Sequence, residues 1–326
     1  MAAHDVVPSA AASRTRDVSA TGTVPRRVVV IVNAGSGTGH DDALFARLKD
    51  LFEAAGAIAD VQPVRGAEIA ARAEAARATR PDVIVAAGGD GTVSGIAATL
   101  VDGEIALGVL PLGTLNHFAK DLGMPLDLEA AVRAIADGVV ARVDVGDVNG
   151  RIFVNNSSLG LYPDIVRDRE RQQKRLGRGK WPSLVWATLA ALRRYPFLSV
   201  RLRVDGSKRE RRTPFVFIGN NEYTMEGFAV GVREHLDRGS LSLYCAQRPG
   251  RMRLVQLALH ALFGRLRQAR DFEALLAADI VVESGHRQLR VATDGEITVM
   301  QPPLHYRIRP ASLKVIRPAP SPASTR

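Results

Sequence analysis

The stretch Val83–Leu100 (VIVAAGGDGTVSGIAATL) constrains the fold more than any other part of the chain. An apolar run, Val83–Ala87, meets Gly88-Gly89-Asp90-Gly91-Thr92, and an Ala/Ile/Leu-rich helical pattern follows at once. The glycines therefore sit where a buried strand hands over to a helix N-terminus. Glycine allows positive φ and close approach of a ligand to the backbone, while the first N–H groups of the helix and its dipole favour an anion. Asp90 is the odd member, because a carboxylate repels a phosphate unless a divalent cation or a transferable proton lies between them. An ordinary strand-to-helix turn, with Asp90 as N-cap and Thr92 in the first helical turn, accounts for the same residues.

The pattern recurs. Arg27–Val32 is a β-branched run ending in Asn33-Ala34-Gly35-Ser36-Gly37-Thr38-Gly39, with a helical period over Asp41–Ala55 closed by Gly56. Ile105–Leu110 runs into Pro111-Leu112-Gly113-Thr114-Leu115-Asn116-His117-Phe118-Ala119. Helices are predicted over Glu68–Thr79, stopping before Pro81, and over Leu128–Ala136, ended by Gly138. Strands alternating with helices at this spacing imply βαβ units, a parallel sheet, and ligands at the strand C-terminal ends. The turns at 33–39, 88–92 and 113–116 should then converge on one sheet edge.

From Val139 the rhythm changes to short strands: Val139–Asp144, Ile152–Asn155, Leu198–Val204, Pro214–Ile218, Leu241–Cys245, Ile280–Glu283, Leu289–Ala292, Leu304–Ile308 and Leu313–Ile316. An antiparallel sandwich or barrel fits them, with helical insertions at Asp164–Arg194 and Met252–Arg270. The expected fold is thus α/β plus all-β: a Rossmann-like α/β domain over 26–143 and a β-sandwich domain over 144–317, with disordered tails at 1–25 and 318–326. The first tail is small and polar without the apolar region of a signal peptide. The most apolar helical stretch, Leu184–Leu192, is far short of the roughly 20 residues that span a bilayer.

The 326 residues carry 44 Lys+Arg against 34 Asp+Glu, a net +10. That excess favours phosphate-bearing partners without choosing among nucleotide, nucleic acid and anionic membrane. The basic runs lack aromatic-studded RNA-recognition signatures and match no DNA-reading module, which argues against nucleic acid. The single cysteine, Cys245, excludes an internal disulfide and a Cys-rich zinc site and fits a reducing compartment.

Five motifs in order, Asn33–Gly37 (NAGSG), Gly88–Thr92 (GGDGT), Gly113–Ala119 (GTLNHFA), Asn156–Gly160 (NSSLG) and Asp294-Gly295-Glu296 (DGE), make residues 27–317 resemble the bacterial branch of the diacylglycerol-kinase-like lipid kinases. The resemblance implies ATP and Mg2+ in a cleft between the two domains and transfer of the γ-phosphate to a lipid hydroxyl. It implies nucleotide contacts from Asn33, Gly88, Gly89, Asp90, Gly91, Thr92, Gly113, Thr114 and Asn116. Thr114 and Asn116 can also be read as a helix-capping pair. Asp294 is implied to be the base that takes the hydroxyl proton, and Asp90 and Glu296 are implied to face the cation. An Asp-Gly pair after a strand is equally a hairpin turn.

Three positions depart from the family pattern. Where the family's structural metal site has an aspartate before glycine, this chain has Arg238, with Asp237 one position earlier, and arginine cannot ligate a cation. His117 stands where the third motif carries Asp, and Gln62 where a nucleotide-contacting threonine is expected. The segment Arg167–Lys180, densely basic, precedes Trp181, Trp186 and an apolar stripe, which suits an anionic bilayer surface or a helix packed on the sandwich. The expected partners are a membrane lipid substrate, ATP, an anionic membrane surface and a second copy of the chain in a homodimer, in a cytoplasmic, peripherally membrane-associated protein. Two other readings stay open: a kinase of a soluble acceptor such as NAD, and a non-catalytic nucleotide-binding pseudokinase at the membrane.

Overall fold

The computed structural model describes residues 25–35, 42–160, 198–213, 215–223, 225–226, 229–230, 233–246 and 272–319. The expected tails, the Ser36–Gly39 end of the first glycine turn, the basic Trp-containing segment and the Met252–Arg270 insertion lie outside these residues, apart from Pro25 of the first tail and Pro318 and Ala319 of the second.

The first half is built from β1 (Arg27–Asn33), α1 (Asp42–Ala54), β2 (Ile58–Val64), α2 (Ile69–Ala78), β3 (Val83–Gly88), α3 (Asp90–Leu100), β4 (Ala106–Pro111), α4 (His117–Asp121) and α5 (Leu128–Asp137). All six residues of β3 are buried, as are Val28–Val32 of β1, which is what a parallel strand covered on both faces requires. Helix α5 starts where Asp127 accepts the Ala130 N–H at 2.9 Å, a side-chain cap for an otherwise orphaned donor. The strands pair in parallel in the order β2-β1-β3-β4.

The second half comprises β5 (Val139–Val148), β6 (Arg151–Phe153), β7 (Asn156–Gly160), β8 (Leu198–Val204), β9 (Ser207–Thr213), β10 (Phe215–Asn220), β11 (Met225–Glu226), β12 (Ala229–Val230), β13 (Leu241–Ala246), β14 (Phe272–Ala277), β15 (Asp279–Ser284), β16 (Leu289–Thr293), β17 (Glu296–Met300) and β18 (Leu304–Arg317). One antiparallel sheet runs β14-β13-β10-β7-β16-β17. Strands β11 and β12 form a separate two-stranded sheet, and β5, β6, β8, β9, β15 and β18 extend the parallel sheet, because β18 lies beside β4 in parallel through Val315–Leu107 and is antiparallel to β5 and β15. One apolar cluster fills the helix-covered part, including Ile84, Phe118 and Leu313, and a second fills the space between sheets, including Phe153, Leu243 and Tyr306. The architecture is a parallel α/β sheet joined to an antiparallel sheet pair, as expected.

Two strands read separately, 304–308 and 313–316, form the single strand β18, with a register shift between Arg309 and Leu313. Pro310 cannot donate to a ladder, and Ala311 takes φ +50° so that its N–H reaches Asp144 Oδ1 at 2.8 Å. The irregularity is a bulge fixed by a buried carboxylate and not a break.

Candidate active site

The parallel register sets the three glycine turns side by side: Val32 lies against Ala87, and Gly88 against Pro111. The turns then lock together. Asn33 Nδ2 donates to Thr92 Oγ1 at 3.1 Å, tying the first turn to the second. A Cβ on Gly113 would come within 2.4 Å of Gly89 Cα, so the second and third turns pack backbone on backbone and only glycine fits. A Cβ on Gly88 would meet Thr92 Oγ1 at 2.5 Å, whereas one on Gly91 would meet nothing within 4 Å. Gly91 therefore leaves its backbone open to a ligand, and Gly88 and Gly113 serve the packing.

Asp90 is the first residue of α3. Its two oxygens accept the N–H groups of His117 (3.3 Å) and Phe118 (3.2 Å), which ties α3 to the short helix of the third turn. These bonds are long, and each oxygen keeps a lone pair, which fits one carboxylate ligand of a largely hydrated Mg2+ carried on phosphates. Asn116, in the left-handed region at φ 51°, bonds within its own turn: Oδ1 accepts Gly113 N–H at 3.0 Å and Nδ2 donates to Gly113 O at 2.8 Å. Its amide shapes the loop, while Thr114 stands exposed beside it. Gln62 lies opposite Ile31, and its Oε1 is a buried oxygen with no partner among the described residues.

Asp294 comes to this edge from the far end of the sequence. Thr293 pairs with Glu296, and Asp294 (φ 48°) and Gly295 (φ 88°) form the two-residue turn of the β16–β17 hairpin. The hairpin reading holds, and from this turn the Asp294 side chain points inward. Oδ1 accepts the N–H groups of Asn155 (2.8 Å) and Asn156 (3.0 Å), and Oδ2 accepts Val154 N–H (2.8 Å) and Ser94 Oγ–H (2.6 Å). Burial pushes this carboxyl above its ordinary value of 3.8, against the four hydrogen bonds that favour its ionised form. The hairpin leaves Glu296 exposed, bonded to Arg151 Nη2 at 2.7 Å, and Arg151 Nε also holds Thr293 Oγ1 at 2.7 Å.

The same segment, 154–156, is held from its other side by Arg233, which is 1% exposed. Its guanidinium donates to Asp121 Oδ2 through Nε (2.8 Å) and Nη2 (2.6 Å), to Val154 O (2.7 Å) and Asn220 O (2.9 Å) through Nη1, and to Asn155 Oδ1 (2.9 Å) through Nη2. All five donors are used. Asp121 ends α4, so Arg233 fastens the third turn to the antiparallel sheet, as Ser94 fastens α3 to Asp294. Tyr223 closes the cluster: its hydroxyl, kept protonated as burial raises its pKa, donates to Asn155 O at 2.9 Å.

Asp237 and Arg238 are both exposed. Their loop is held by protein hydrogen bonds, Gly239 N–H to Asp144 Oδ2 (2.7 Å) and Arg238 N–H to Asn221 Oδ1 (3.1 Å). Among the described residues no group of three or more His, Cys, Asp or Glu side chains is placed to hold a metal unaided. A cleft of about 920 Å³ opens at the other end of the sheet, by Arg26, Arg77, Asp82 and Glu104. There Arg77 pairs with Glu74, Arg26 donates to the Ile135 carbonyl, Asp82 accepts the Arg27 N–H and Glu104 pairs with Lys314.

Sequence reasoning missed Ser94, Val154, Asp121 and Arg233. Nothing local marks them, since the bonds that matter span 79 to 200 residues.

Residues 27–148 match the family described as the diacylglycerol kinase catalytic domain, and residues 165–317 the YegS C-terminal NAD kinase beta sandwich-like domain. The cluster at 154–156 falls between the two. The diacylglycerol kinase of Bacillus subtilis is 35% identical over 147 residues, 44% of this chain and 48% of that one. A Chromohalobacter salexigens protein named "Probable lipid kinase YegS-like" is 30% identical over 217 residues, 65% of this chain and 69% of its own length. The chain spans about half the length of two relatives, 48% for the Bacillus subtilis protein and 54% for a Synechocystis protein, and 32% for the diacylglycerol kinase of Staphylococcus saprophyticus. The solved structure of a diacylglycerol kinase from Bacillus anthracis shares the fold at a TM-score of 0.67 and 22% identity, covering 92% of this chain and 99% of that one. With matched stretches in both halves of the chain and a lipid kinase relative aligned across most of its length, this chain belongs to the diacylglycerol-kinase-like lipid kinase family.

Proposed function

We propose that this protein transfers the γ-phosphate of ATP to a hydroxyl of a membrane lipid, diacylglycerol or a close relative. The observation that supports the reading best is the span of α3. Its first residue, Asp90, sits among the glycine turns, and its fifth, Ser94, bonds Asp294 from the other half of the chain. At 1.5 Å per residue the two lie about 6 Å apart along one helix face, which suits a phosphoryl group between donor and acceptor oxygens.

In this reading residues 26–143 hold the nucleotide, through Asn33, Gln62, Gly89, Gly91, Thr92, Gly113 and Thr114, and residues 144–317 hold the lipid. Asp90 would hold Mg2+, which supplies charge neutralisation at the transferring phosphoryl group when bound. Glu296 keeps Arg151 against Thr293 and so stiffens the turn that aims Asp294. Asp294 is the proton acceptor, and its raised pKa makes it a stronger base than a solvated aspartate.

The test is transfer of labelled phosphate from ATP to a panel of lipids in mixed micelles, with NAD run alongside. Labelled lipid supports the reading; labelled NAD alone replaces it with a soluble acceptor, and no label in any acceptor replaces it with nucleotide binding without transfer.

A further inference from the structure

A carboxylate offers about four lone-pair sites to donors. At Asp294 all four are taken, three by the backbone N–H groups of Val154, Asn155 and Asn156, and the fourth by the Ser94 hydroxyl. The three amides are fixed by the chain at the start of β7, and Asp294 N–H returns a bond to Asn156 O at 2.9 Å. A substrate hydroxyl approaching this carboxylate therefore finds no free lone pair. The one donor that can move is Ser94, whose O–H rotates freely. Ser94 is half-buried and accepts no hydrogen bond among the described residues, so its oxygen is open to a proton while its own proton points at Oδ2, 2.6 Å away.

We propose that Ser94 is a proton relay between the lipid hydroxyl and Asp294, an inference that rests on the reading of Asp294 as the base. The acceptor's O–H bond breaks and its proton goes to Ser94 Oγ. The Oγ–H bond that Ser94 held breaks in the same step, and that proton goes to Asp294 Oδ2. The electron pair left on the acceptor oxygen forms the new O–P bond, and the bond from the γ-phosphorus to the β–γ bridging oxygen breaks, with its electron pair leaving on the nucleoside diphosphate. Charge balances, because Asp294 ends neutral and Ser94 ends as it began. Placement on α3 makes the relay possible: Ser94 lies one helical turn from Asp90, on the same face, so the hydroxyl it serves lies within reach of the phosphoryl group held at that helix's N-terminus.

Ser94→Ala, Ser94→Thr and Asp294→Asn decide it, with the transfer step followed in single turnover in H2O/D2O mixtures. The relay predicts that Ser94→Ala slows transfer by about 10²–10⁴-fold, the range for lost proton transfer, that Ser94→Thr recovers most of it, and that the wild-type rate curves with deuterium fraction because two protons move together. A Ser94→Ala enzyme as fast as wild type, beside an inactive Asp294→Asn, would overturn the relay while leaving Asp294 as a direct base. A linear dependence on deuterium fraction, or none, reduces Ser94 to a positioning residue. Full activity in Asp294→Asn would instead remove the base assignment and the relay with it, so the two failures are distinguishable.

Discussion

Burial and hydrogen bonding pull Asp294 in opposite directions, and burial prevails. A carboxyl whose native pKa lies above its unfolded value stabilises the fold through its protonated form. That contribution is complete below about 3.8 and is lost as pH rises through the higher native value. Wherever Asp294 is ionised, that charge is thus a cost to the fold. Turnover should run the other way: kcat should fall as pH drops through the raised pKa, giving an acid limb above 3.8 in a pH–rate profile. A limb at or below that value would contradict the assignment. Arg233 and Asp121 test the frame around it. Their side chains are 0% and 3% exposed, so Arg233→Met should leave a buried carboxylate unpaired and cost about 3–5 kcal/mol in denaturant unfolding. Arg233→Lys should recover little, because an ammonium cannot reach Asp121, Val154, Asn155 and Asn220 together.

At the scale of elements, the glycines of the three turns divide into two roles that substitution can separate. Gly113→Ala drives a Cβ into the Gly89 backbone and should spread the second and third turns, weakening nucleotide binding at least tenfold with a stability loss of about 1–3 kcal/mol. Gly91→Ala meets nothing and should fold normally, so any loss of nucleotide affinity, read by calorimetry, reports contact with the ligand. The turns were legible in the sequence because each follows an uninterrupted apolar run, as Val83–Ala87 does. Strand β9 was not: SKRERRT shows no apolar alternation, since it closes the sheet edge with most of its side chains at the surface. Asp294 was legible through its Asp-Gly turn, but its four donors were not, because they are supplied by segments 138 to 200 residues away. Asn116 carried a nucleotide expectation from its motif, and its amide is engaged within the loop, a local geometry no spacing rule conveys.

At the scale of the molecule, the proposed nucleotide and lipid halves are not separable bodies. A fragment of residues 26–143 lacks β18 beside β4, and Leu313, Val315 and Ile316 of that strand belong to the same apolar cluster as Ile84 and Leu107. Expressed alone, it should show broad, non-cooperative unfolding, and adding a peptide of residues 304–317 should sharpen the transition. The net +10 charge bears on the whole surface as well. Binding to vesicles containing anionic lipid should weaken between 0.1 M and 1 M salt, where the Debye length falls from about 10 Å to about 3 Å. Equal binding to neutral vesicles would assign the charge to other partners.

The position of β18 also sets a timetable. Chains are made from the N-terminus at about 5–20 residues per second, and domains commonly fold as they emerge. Here the neighbour of β4 is synthesised some two hundred residues after β4 itself. The parallel sheet therefore stays open along that edge while everything between is made, and it closes only when residue 317 has left the ribosome. Until then the edge of β4, a strand buried in the finished fold, lies open to non-native pairing, and the parallel sheet waits on the emergence of β18.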